Sequence, residues 1–529
     1  MMNLTRAKEI LTKEILYFKE RDFTKALSKA FRHRTNPHAK SFREYCTKES
    51  REEMNFISSI WNVMFNNILS QPAIFIGLIV VIGYILLKRK WYEVAAGFIK
   101  AVVGYQILQL GASSLKNTVD PLLKGIQQKW SVDAAVIDPN FGLTAANSAL
   151  ESIGVTTSFA MITLLIAFIW NIILVFFRKY TKVRTLFTTG HIMVKQSTVA
   201  TWIIFLLIPE LRNMGGIVLI GLLCGTYWSV FSNLTVEATQ ELTEGSGFAI
   251  GHQQMLGVWF AYRFGCLFKG KNRNSEEKEL KLGGALKVLD DYVVSTTLIM
   301  LLFFGVIMLI LGPELMHQVD EVNFGKLTFP VYIFQRCTSF AVALVVLKTG
   351  IRMFVGEMVE SFEGISGSIL KGSLPAVDCA ATYSFGDPNA VTLGFLFGAL
   401  GQMIAIAGLL VFKSPLMIIP GFVPLFYDNA TIGLYANMKG GFKALLVCCL
   451  GSGLLQVLGS AAAILMFQMG PFGGYVGNLD WATLWPAMGA IIKYLTVPGA
   501  VLCIVGMLII PQLQYRRNKK DYFTLGMED

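Results

Sequence analysis

The chain has 529 residues, of which 54% are hydrophobic and only 15% charged, with a formal net charge of +11. That balance excludes an ordinary soluble protein, and apolar runs of roughly 17 to 25 residues point to helices crossing a bilayer, not to the strands of a barrel. The cations fall between apolar runs and at the N-terminus without forming a basic domain, so they read as membrane topology and exclude a nucleic-acid surface.

Residues 1–53 carry thirteen Lys/Arg against eight Asp/Glu and lack the apolar region of a signal peptide, so they read as a soluble or membrane-surface extension. Phe56 to Ser70 is apolar but broken by Asn62, Asn66 and Asn67, and is expected at the interface or inside the bundle. Pro72 to Leu87 is the first clear span, closed by Lys88-Arg89-Lys90, and Glu93 to Leu115 is a second. Lys116 to Gly154 is too polar to cross. Its Asp138-Pro139-Asn140 turn, followed by Gly142, Ala145 and Ala146, suits a re-entrant segment lining a cavity.

Spans follow at Ser158 to Phe177, Leu186 to Ile208, Gly215 to about Leu234, Tyr292 to Gly312 and Val331 to Lys348. Gln254 to Phe268 is a modest apolar helix before the charged stretch Lys269 to Lys287. Ile351 to Leu370 is amphipathic, with Glu357, Glu360 and Glu363 at helical spacing, and Pro375 to Pro388 is turn-rich. The last spans are Val391 to Phe412, Phe442 to Met469 and Met488 to Ile510, with a Pro/Gly/Asn-rich insertion from Pro415 to Asn437. The positive-inside rule places Lys88 to Lys90, Arg178 to Arg184, the 269–287 loop and the basic C-terminus on one side. Parity then requires Ile351 to Leu370 to cross as well, giving eleven spans with an outside N-terminus.

Within Leu186 to Ile208 lies a polar island, Thr189 to Gln196. At helical spacing His191 and Lys195 share a face, with Thr188 and Gln196 beside them, and an ionisable face inside a membrane belongs to a cavity or bundle interior. A second Gly-His pair, Gly251-His252, precedes Gln253-Gln254. These donors and acceptors suit a hydroxylated or anionic small molecule, and the glycines admit a close neighbour; each His could equally join two helices as polar glue. Asp378, alone among small apolar residues, could accept ligand hydroxyls, pair with Lys195, carry a proton or cap a broken helix. Asp428 invites the same readings. Asp138-Pro139-Asn140 recurs as Asp387-Pro388-Asn389, which suggests two inverted halves with a site at their interface.

The eight cysteines show no Cys-x-x-Cys spacing and read as reduced, buried residues. There is no Walker A motif, His-Glu-x-x-His pattern or Gly-x-Ser-x-Gly turn, so no metal or other cofactor is expected, and the chain has no means of its own to energise transport.

Several stretches together resemble the ascorbate-specific enzyme IIC family of the bacterial phosphotransferase system. They are Thr189 to Met193, Gly251 to Gln254, Arg352 to Val355, Ala376 to Ala381 with Tyr383 to Phe385, Ile419 to Phe422 and Asn429 to Gly433. The resemblance runs from residue 57 to 511 and leaves an extension at 1–56 and a cytoplasmic tail at 512–529. It implies an all-α, multi-pass, homodimeric permease of the cell membrane, with a scaffold and a core that move in an elevator-like way. It also implies a sugar-acid substrate, phosphorylated by a separate IIB protein that is served by IIA. Carried over by position, the substrate contacts are His191, Ile192, Met193, Val194, Lys195, His252, Gln253 and Asp378, with Pro139 and Asn140 at a position where the family has Thr-Tyr. Lys195 stands where the family has Gln. An added cation favours a more anionic substrate, or else Asp378 neutralises it. Without the resemblance, an ion-coupled secondary transporter fits the same residues, and so does a structural membrane scaffold.

Overall fold

A computed structural model describes residues 72–268, 292–370 and 372–525. The extension at 1–56, the Asn-broken stretch up to Ser70 and the charged loop at 269–287 lie outside these residues, as does the side chain of Glu363. The longer helices are α1 (Pro72–Leu86), α2 (Trp91–Trp130), α3 (Pro139–Ser152), α4 (Ser158–Phe176), α5 (Gly190–Leu207) and α6 (Met214–Leu234), then α7 (Val236–Leu242), α8 (Met255–Gly265), α9 (Phe329–Ile369), α10 (Pro388–Val411), α11 (Asn429–Met466) and α12 (Leu479–Arg517). Eight helices among the described residues are long and apolar enough to cross a membrane, or nine if the pieces Thr296–Leu311 and Pro313–Val319, bent by 100°, count as one.

Two helices run further than expected. α2 continues past Leu115 to Trp130, because Leu115, Val119, Leu122 and Ile126 form a buried stripe at helical spacing within an otherwise polar stretch. α9 is a single helix of 41 residues, so Ile351 to Leu370 is not a separate crossing, and the parity count of eleven loses the turn it relied on. The Lys348-Thr349-Gly350 break in hydrophobicity serves close packing instead. A Cβ at Gly350 would collide with the α2 backbone at Gly104 and Leu108, and one at Gly111 would strike the α9 backbone at Leu347.

Among the described residues six short strands accompany the helices, a feature the hydrophobic pattern did not announce. β1 (Asp133–Ile137) pairs in parallel with β5 (Leu416–Pro420) and β6 (Gly474–Tyr475), and β4 (Leu374–Val377) pairs in parallel with β2 (Thr185–Phe187) and β3 (Ala249–Ile250). Non-helical backbone inside a membrane protein must find internal hydrogen-bond partners, and these segments find one another. Exchanging the first three strands for the last three maps the pairing onto itself, as an internal repeat requires. Under this exchange Asp138, which follows β1, corresponds to Asp378, which follows β4. The likeness of Asp138-Pro139-Asn140 to Asp387-Pro388-Asn389 is a local one. Asp138 and Asp387 each accept the amide N–H two residues on, at 2.9 and 2.8 Å, as helix caps, but Asp387 follows no strand.

Candidate functional site

Each strand of the β2-β4-β3 sheet delivers its chain to the same place. β2 ends at Phe187, and Thr188 and Thr189 tie back to Ala376 O of β4 by the Thr188 N–H at 3.0 Å and both hydroxyls at 3.0 and 3.3 Å. Thr188 therefore precedes the helix instead of sharing its face. α5 then begins at Gly190, which puts His191 in its first turn and Lys195 one turn later on the same side. On the other side of β4, the Gly251 N–H bonds Val377 O at 2.7 Å. A Cβ on Gly251 would strike the Ala376 carbonyl, so the close neighbour this glycine admits is backbone.

Three side chains from these three segments meet. His191 Nε2 lies 3.3 Å from Asp378 Oδ2, with the two side chains 21% and 37% exposed. The other carboxylate oxygen, Oδ1, accepts the Ala380 N–H at 2.9 Å. Asp378 thus caps a broken helix with one oxygen and meets a histidine with the other, and its direct partner is His191, not Lys195. His252 is buried, and its Nδ1 is held by Gln254 Oε1, which also accepts the Gln253 N–H at 3.0 Å. That bond fixes the ring and engages Nδ1, leaving Nε2 as its other hydrogen-bonding atom. Behind it, Gln196 donates to His252 O at 3.4 Å and accepts from Trp228 Nε1.

One nitrogen from each His and one oxygen of Asp378 lie within 4.8 Å of one another, the donor set of a two-His, one-carboxylate metal site. Lys195 argues against that use. It is 4% exposed, and its charge acts on both Asp378 and His252. A fixed ammonium beside the cluster repels a cation and attracts an anion.

The second sheet supplies Asp138, buried, whose Oδ1 accepts the Asn140 N–H and amide at 2.9 Å and whose Oδ2 accepts the Val423 N–H at 3.0 Å. Pro139 opens α3, and the Asn140 side chain folds onto Asp138. Lys195 connects the two ends, since the charges of both Asp138 and Asp378 act on it.

A family profile described as the PTS system sugar-specific permease component matches residues 67–487. The chain belongs to this permease family. A curated relative, the "Ascorbate-specific PTS system EIIC component" of Mycoplasma pneumoniae, is 32% identical over 444 residues, which cover 76% of this chain. The permease chain spans just under two thirds, 66%, of that relative's length. Family membership, together with eight apolar helices, makes it a multi-pass protein of the plasma membrane, with the mostly helical architecture expected.

Of the permease residues named from sequence, His191, His252 and Asp378 converge, and Lys195 lies within electrostatic reach of the last two. The side chains of Ile192, Met193 and Val194 are buried in the packing of α5. Gln254, Tyr383 and Thr431 stood in the sequence motifs without an assigned structural role, and the structure joins them into a layer beside the site. Tyr383 bonds Thr431 Oγ1 at 3.1 Å and Tyr427 O at 3.2 Å, and Gln254 reaches the same hydroxyl at 3.4 Å. These residues come from three separate segments, so their meeting is visible only in the tertiary structure.

Proposed function

We propose that this chain is the IIC permease for ascorbate or a related sugar acid, moving it inward for phosphorylation by a separate IIB protein that is recharged by IIA. The observation that carries this reading is the meeting of His191, His252 and Asp378 beside the buried Lys195 at the ends of the β2-β4-β3 sheet. Such a cluster offers hydrogen bonds to several hydroxyls together with one positive charge. The ascorbate-specific name of the M. pneumoniae relative supports the same substrate class. The contact set we propose is His191 to Lys195, His252, Gln253 and Asp378, with Pro139 and Asn140 from the second sheet. Residues 57–511 form the permease proper and act as a homodimer with an elevator-like core.

The test is uptake into proteoliposomes. Ascorbate is expected to accumulate as its phosphate only when IIB and phosphorylated IIA, the phosphoryl donor to IIB, are both supplied. Accumulation of unmodified substrate by this chain alone, driven by a proton gradient, would instead assign it to ion-coupled transport through the His191–Asp378 pair.

A further inference from the structure

Where α2 ends, a groove lies between two helix pairs. α2 packs along α9 and α10 packs along α11, and the chain leaves them by the paired strands β1, just after Trp130, and β5, just after Val411. The groove has a volume of about 290 Å³ and is lined by Trp130 from the first pair, by Ile406, Leu409 and Leu410 from the second, by Met417 of β5 and by Lys413. None of His191, Lys195, His252 or Asp378 lines it, so it is separate from the site at the β2-β4-β3 sheet. α2 runs for 40 residues from the cations Lys88 to Lys90, which puts Trp130 at the opposite face of the membrane.

The lining is apolar apart from one cation. Ser414 also borders the groove, but its hydroxyl donates to Leu416 O at 2.9 Å. The Lys413 ammonium makes no hydrogen bond or ion pair among the described residues. Asp133, which pairs with Leu416 across β1 and β5, turns its carboxylate towards Gly470. The backbone adds a second observation. Lys413 follows α10 at φ +51°, the left-handed place that glycine ordinarily takes, with its N–H on Leu410 O at 3.1 Å and the Ser414 N–H on Leu409 O at 2.8 Å. Attraction to the helix C-terminus offsets part of the cost of a side chain there, but the turn by itself favours glycine. Beside the groove, Leu400, Met403, Ile404, Leu410, Val411 and Phe412 are each at least 40% exposed along a span that ends at Val411. Such a stripe on a membrane span meets acyl chains, so the groove fills from the bilayer. Lys413, two residues past the span, stands with Trp130 at the level of the headgroups, where tryptophan and cations anchor membrane proteins.

We propose that this groove binds an anionic phospholipid of the leaflet opposite Lys88 to Lys90, with an acyl chain against Ile406, Leu409, Leu410 and Met417 and the phosphate paired with the Lys413 ammonium. One unmatched cation selects headgroups of net negative charge over zwitterionic ones. Because the lining comes from α2 on one hand and from α10 and β5 on the other, the bound lipid joins the two helix pairs. The site does not depend on which sugar the permease moves.

Native mass spectrometry of the delipidated full chain in detergent tests the site. The probes are dioleoyl phosphatidylglycerol and dioleoyl phosphatidylcholine, which share their chains and differ in net charge, and glycerol 3-phosphate, the headgroup anion alone. Wild type and variant are titrated in one mixture, so lipid bound elsewhere on the chain, which both share, cancels. Lys413→Gly removes the cation while easing the left-handed turn. It is expected to bind phosphatidylglycerol roughly fivefold more weakly than wild type and phosphatidylcholine as before, although its melting temperature without lipid rises. Lys413→Arg is expected to match wild type. Ile406→Trp fills the groove and is expected to weaken the binding of both lipids. Equal phosphatidylglycerol binding by wild type and Lys413→Gly, or no loss in Ile406→Trp, overturns the site. Binding of glycerol 3-phosphate that depends on Lys413 overturns the lipid and assigns a soluble anion.

Discussion

At the scale of single residues, the site uses each group for two purposes. Asp378 caps the turn that follows β4 with one oxygen and meets His191 with the other. The two roles separate by substitution. Asp378→Asn keeps an oxygen for the Ala380 N–H and is expected to melt near wild type while ascorbate binding falls by about tenfold or more. Asp378→Ala loses the cap too and should cost a further ~1 kcal/mol in detergent unfolding. Equal melting temperatures for the two variants would show that the cap contributes nothing. Gly251 and Gly477 both let their chains lie close against a neighbouring strand, Gly251 against the Ala376 carbonyl and Gly477 against Ile137.

At the scale of elements, glycine and strain mark where helices touch or bend. α9 and α2 lie close because Gly350 and Gly111 face backbone, and van der Waals contact of this kind holds helices together where lipid removes the hydrophobic incentive. α11 bends at Gly441, whose φ of 64° and ψ of −161° suit a residue without a Cβ. α12 bends at Thr496, with φ 52° and ψ −130°, a backbone state costly for a β-branched residue. Thr496→Gly is therefore expected to stabilise the protein by about 1 kcal/mol, read as a rise in the midpoint of thermal unfolding. A fall would mean that the threonine side chain holds the bend by contacts worth more than the strain.

At the scale of the whole molecule, the last described residues return to the site sheet. Beyond α12, Tyr522 is 1% exposed and stacks under Arg184 at 3.7 Å, accepting that guanidinium on its carbonyl oxygen and donating its hydroxyl to Lys182 O at 2.7 Å. Asn233 ties the same hydroxyl to Gln514, and Leu525 packs on Val236, Ala249, Leu374 and Ala376 behind the strands. Arg184, expected among exposed topology-setting cations, is instead a buried charge placed one residue before β2. Tyr522→Ala would leave that charge with less to hold it, at an expected cost of about 3 kcal/mol. The corresponding observation is faster proteolysis between residues 178 and 184. Cleavage there at the wild-type rate would show that the returning segment does not brace the strand.

The sequence by itself determined the class of molecule, because 54% hydrophobic residues in span-length runs have no other stable solution than membrane helices. It also marked His191, His252, Lys195 and Asp378, because polar groups are costly in a membrane interior and stand out against an apolar background. Only the tertiary structure decided that three of them converge, that Asp378 faces His191 and not Lys195, and that Ile351 to Leu370 continues α9 instead of crossing on its own. The six strands belong to the same category. Each is a few residues long and is stabilised by a partner distant in the chain, such as β4 between β2 and β3, so no local periodicity could announce it. The equivalence of His191 with Val423 likewise exists only once those strands are paired, since it lies in a shared backbone frame and not in shared residue types.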